Sequence, residues 1–147
     1  MNLLNEEIKL SLVQVQVADG QTDPVSSRVD MAGYDGVVFV AIMGVITTPG
    51  TFNMVVKQAA TDIEGTALSG ATVTATGSAN GDKLLAIDVF RPTKRYVGVV
   101  LTLAVANSII GGVLAIQYKA AARPVVQAGM GATLVALVSP ADVERPD

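Results

Sequence analysis

The chain has 147 residues, a length for one domain, and half of them are hydrophobic while only 16% are charged. An ordinary soluble domain carries about 25% charged residues, so part of this surface is expected to be buried against other protein. Cys, His and Trp are all absent and the net charge is −3, which excludes disulfides, thiolate metal sites, Cys nucleophiles and imidazole bases and argues against nucleic acid as the main partner.

The first seven residues are acidic, with neither the basic start nor the apolar stretch of a secretory leader. Lys9 to Val17 is the first clear element. Its period of two predicts a half-buried strand, with Val13, Val15 and Val17 on one face and Gln14 and Gln16 on the other. Asp19-Gly20 and Asp23-Pro24 interrupt the chain, and Ser26 to Asp30 predicts a short strand. Val37 to Met43 is a continuous apolar run, the pattern of a strand covered on both faces.

Thr47-Thr-Pro-Gly50 predicts a turn, and Phe52, Met54 and Val56 alternate along the next strand. Ala67 to Thr76, rich in Thr and Ala, predicts an edge strand, and Asn80-Gly-Asp82 a turn. Lys83 to Phe90 sets Leu85, Ile87 and Val89 against Leu84, Ala86, Asp88 and Phe90, with Asp88 expected on the solvent side. Arg91-Pro92 breaks that strand, because proline cannot donate to a ladder.

Tyr96 to Tyr118 carries no charge and is long enough to span a bilayer. Asn107-Ser108, Gly111-Gly112 and many β-branched residues predict two buried strands and a turn there, so no membrane partner is expected. Short strands with turn signals about every 8–12 residues, and no helical apolar stripe, predict an all-β protein. About eight strands fit a jelly-roll-like β-sandwich as well as any other sandwich or barrel arrangement. Residues 1–123 form the sandwich in this reading, and 124–147 form an extended C-terminal tail with one apolar patch, Leu134-Val-Ala-Leu-Val138. Within that patch Leu134, Val135 and Leu137 are candidate partner contacts, the tail being either a last strand or an arm that orders on a neighbour.

Carboxylates are the remaining acid–base groups. Asp62 and Glu64 share one loop, and Asp30 and Asp35 flank another. Without aromatic platforms they read as loop carboxylates, not as a glycosidase pair, and they are too few for a calcium loop. The glycines match no phosphate-binding spacing, so neither a catalytic residue, a metal site nor a cofactor is expected. Arg91, Lys94 and Arg95 form the densest basic cluster and are candidates for docking acidic groups of a partner protein.

Three stretches, 28–41, 83–97 and 109–119, resemble the capsid decoration or cement proteins of tailed bacteriophages. Lys83-Leu-Leu-Ala-Ile-Asp-Val-Phe-Arg-Pro-Thr-Lys-Arg-Tyr-Val97 is the most specific of them, and the likeness covers roughly residues 8–125. The resemblance implies a structural virion protein on the capsid exterior, made in the cytoplasm of the host bacterium. It implies a dimer or trimer that bridges neighbouring copies of the major capsid protein. The alternative is a head-fibre or receptor-binding jelly roll that contacts host glycans, for which Tyr34, Tyr96 and Tyr118 are the available tyrosines.

Overall fold

The computed structural model describes residues 7–123 and 125. Nine strands follow one another: β1 Lys9–Gln14, β2 Val17–Gly20, β3 Val29–Asp30, β4 Gly36–Ile46, β5 Thr51–Ala59, β6 Thr66–Thr76, β7 Leu84–Phe90, β8 Tyr96–Ala104 and β9 Ser108–Tyr118. They build two antiparallel sheets. One has the order β1-β9-β4-β7, with β2 also paired to β9, and the other the order β3-β8-β5-β6. With β1 and β2 counted as one interrupted strand, this is the eight-strand jelly-roll order. All but one connection, the β5–β6 hairpin, pass from one sheet to the other.

The alternation of side chains explains why two sheets form. Val37, Phe39, Ala41 and Met43 of β4 point inward and meet Phe52, Met54 and Val56 of β5 and Val97, Val99, Leu101 and Leu103 of β8. Phe39 and Phe52 are wholly buried. Burying a side chain of that size stabilises the fold by about 1.5–3 kcal/mol. The uncharged stretch 96–118 is β8, a turn and β9, and no helix among the described residues is long and apolar enough to cross a membrane.

Three expectations need correction. Lys9 to Val17 is not one strand, because the register shifts between Leu12 and Gln14. Such a bulge sets two successive residues against one partner and flips the phase of the residues after it. Val13 and Gln14 are therefore both buried, while Val15 is 63% exposed. Residues 26–28 are not strand; only Val29–Asp30 pairs, with β8. The irregular segment before it closes one side of the sandwich. The Ser27 N–H donates to the Val13 carbonyl at 2.8 Å, and the Leu103 N–H donates to the Asp23 carboxylate at 2.8 Å. The Asp23 bond covers an open stretch of the β8 edge. Finally, β4 is covered on one face only among the described residues: Val38 and Val40 are half-buried and Ile42 is exposed.

β6 lies at a sheet edge as expected. Its register against β5 jumps from Val55↔Thr72 to Lys57↔Ala67. Residues 68–71 therefore bulge out, which breaks a long uncharged edge that would otherwise invite pairing. The tail expected at 124–147, with Leu134, Val135 and Leu137, lies outside the described residues except for Val125, which is buried.

Candidate functional site

The register of the first sheet assembles a surface that no single segment contains. One row across its outer face is Leu12, Leu114, Val40 and Ala86, and the next is Leu10, Ile116, Val38 and Asp88. Ile42 and Leu84 pair beyond the first row, and Tyr118 and Phe90 flank Gly36 beyond the second. Leu12 is 51% exposed, Ile42 50%, Leu84 65% and Phe90 53%. Asp88 is the one charge in these rows, and its carboxylate accepts a 2.6 Å hydrogen bond from the Tyr118 hydroxyl.

The outer face of the other sheet is built differently. There Thr51 and Asn53 of β5 pair with Thr76 and Thr74 of β6, Asn53 also with Thr102 of β8, and Lys57 lies further along, while Val55 stands between Thr72 and Val100. Thr74 donates to the Asn53 side-chain oxygen at 3.0 Å. A sandwich in water normally has polar residues on both outer faces. Here one face is mostly Thr and Asn with a Val55–Val100 pair among them, and the other is mostly Leu, Ile and Val across four strands, with Asp88 its one charge.

Aromatic packing closes one end of the apolar face. The Tyr118 ring crosses Gly36 so closely that a Cβ there would lie 2.2 Å from it, so any larger residue has to displace the ring. The Phe90 and Tyr118 rings stack with centroids 6.5 Å apart and planes 4° from parallel. Arg91 and Lys119 hold their cations 5.1 and 5.2 Å from the Phe90 ring centre. Burial, with the Asp88 hydrogen bond second, pushes the Tyr118 hydroxyl up to about 12.

The basic cluster lies in the turn after Phe90. Gln58 fixes this turn: its side-chain oxygen accepts from the Thr93 and Lys94 N–H groups, and its amide donates to the Thr93 hydroxyl. The three cations then differ. Arg95 grips Asp30 with two bonds, of 2.9 and 2.7 Å, and holds that carboxyl below its ordinary range. Arg91 and Lys94 are exposed and make no salt bridge among the described residues. With Tyr34, Asp35, Pro92 and Thr93 they line an open groove of about 420 Å³.

Three of the four loop carboxylates singled out in the sequence sit in separate ion pairs. Asp62 faces Arg28 at 3.4 Å and Glu64 is paired with Lys57, which lowers the Glu64 carboxyl. Asp30 and Asp35 do not face one another across a cleft: Asp30 is held by Arg95, and the Asp35 backbone carbonyl accepts from the Arg91 N–H at 2.7 Å. Among the described residues no three carboxylates converge as metal ligands.

The sequence marked the basic turn but not the apolar face, whose residues come from four separated strands. A signal for it does exist. In β7 both alternating sets are mostly apolar, Leu85, Ile87 and Val89 on one side and Leu84, Ala86 and Phe90 around Asp88 on the other.

No family model and no curated protein matches the chain. Among solved structures it is similar to a chain of Bacillus endospore appendages, described as a novel family of disulfide-linked pili. The identity is 16%, with 80% of this chain and 92% of that one covered and a TM-score of 0.47. It is also similar to Eiger TNF from S. frugiperda, at 12% identity over 78% of this chain and 98% of that one, with a TM-score of 0.35.

Proposed function

We propose that the chain is a structural virion protein that binds the outer surface of a bacteriophage capsid and stabilises it by bridging major capsid subunits. The observation that carries this reading is the contrast between the two outer faces. A four-strand apolar face with a single, internally bonded carboxylate is suited to permanent cover by protein. The resemblance of 28–41, 83–97 and 109–119 to capsid decoration proteins adds the kind of assembly. Repeated over a shell, contacts that are weak singly add up through avidity.

Arg91 and Lys94, exposed on a turn braced by Gln58, are suited to meet acidic groups of the shell. The tyrosines favour this reading over glycan binding. Each is only half-exposed, and Tyr118 is stacked on Phe90 and tied to Asp88. The Tyr118 ring is thus occupied, and Arg95 holds its cation 5.4 Å from the Tyr96 ring centre, which leaves Tyr34 as the ring beside an open groove.

Purified capsids lacking the protein test the reading. On mixing, the chain co-sediments with them and raises the temperature at which they burst. Capsids that neither bind it nor gain heat resistance would refute the proposal.

A further inference from the structure

We infer that the apolar face of the β1-β9-β4-β7 sheet packs against the same face of a second copy of this chain, giving a two-fold dimer. The inference does not depend on the capsid reading, because it concerns the purified chain alone.

Area favours a second copy over the tail. Four strands about 4.8 Å apart and four rows about 6.7 Å apart span on the order of 400–500 Å². The five-residue patch Leu134–Val138, laid down as one strand, is about 17 Å long and covers well under half of that. A matching four-strand face covers all of it. Two such faces bury on the order of 1,000 Å² together, the size at which a specific interface begins.

Chemistry favours like on like. The rows Leu12-Leu114-Val40-Ala86 and Leu10-Ile116-Val38 present no charge to clash with their own copy. Asp88 stands at the β7 edge and is already bonded to Tyr118. Sheets pack face to face about 10 Å apart, and the chain uses this arrangement once already, inside its own sandwich. β4 is apolar on both faces, which fits cover that is always available, and an identical chain is always available. The centre of the four rows falls between the pairs Val40–Leu114 and Val38–Ile116, which places Val40 beside the two-fold axis.

Sedimentation velocity on the full chain from ~1 to 100 µM tests this. The wild type runs as a dimer. Ile42→Lys and Leu12→Lys, both at positions open to water in the single chain, weaken association ~100-fold or more. The double variant Leu134→Lys/Leu137→Lys remains dimeric. Because the chain has no cysteine, Val40→Cys gives one thiol, and a short bis-maleimide joins two copies through it in near-native protein. A monomer over the whole range, a trimer, a dimer indifferent to both lysines, a dimer lost in the tail variant, or no cross-link at Val40→Cys would each overturn the inference.

Discussion

At the scale of single residues, identity matters most where two groups are locked together. The Asp30 carboxyl is lowered chiefly by its hydrogen bonds from Arg95. A lowered carboxyl contributes stability above its ordinary value of 3.8 and loses it as the pH falls through the folded value. The pair lies at the surface, where solvent screens it, so its contribution is small. Asp30→Asn is therefore expected to lower the melting temperature slightly at pH 7 and to flatten its fall as the pH drops below the ordinary carboxylate value, as read by thermal denaturation. Tyr118 has the opposite sign. Its hydroxyl is raised from 10.0 to about 12, so its contribution is complete below pH 10 and is lost as the pH rises toward 12. Absorbance titration is expected to show a late tyrosine step that Tyr118→Phe removes. Gly36→Ala drives a methyl into the same ring, and its cost, ~1–3 kcal/mol, is read by chemical denaturation.

Single strands show what alternation predicts and what it leaves out. In β4, Phe39 is wholly buried and its neighbour Val40 faces outward. Phe39→Ala is expected to destabilise the chain by ~3–5 kcal/mol. Val40→Thr is expected to leave the folded circular dichroism spectrum intact and to act on association instead. Most strands were legible because period two survives in a half-buried sheet, as in β5 and β7. Two features were not. Bulges change phase without a sequence marker, so Val15 was expected inside and lies outside. Ser26 to Arg28 satisfies its backbone by reaching Val13, not by pairing as a strand, and that contact depends on the finished sandwich. At the basic turn the sequence identified the three cations. It could not show that Arg95 is held by Asp30 while Arg91 and Lys94 stay open, because Asp30 and Arg95 meet only through the β3–β8 pairing.

For the whole molecule, low charge and a jelly-roll frame acquire one meaning. The outer face of one sheet is Thr- and Asn-rich, and that of the other is Leu, Ile and Val around the single carboxylate of Asp88. That face was present in the sequence only as strands apolar on both sides, since assembling it required the register of β1, β9, β4 and β7. Arg91→Ser with Lys94→Ser is expected to weaken capsid binding and flatten its salt dependence without lowering the melting temperature. Arg95→Ser is expected to lower the melting temperature by breaking its bonds to Asp30. Deleting residues 126–147 is expected to leave the sandwich folded and to weaken attachment to the shell, as measured by co-sedimentation. Electron cryo-microscopy of capsids incubated with the chain tests the central claim most directly. The expected result is added density outside the shell, bridging neighbouring capsid subunits and with the Leu12–Leu114–Val40–Ala86 face buried against a second copy of the chain. Capsids that remain bare, or bound chains that leave this face open to solvent, would contradict it.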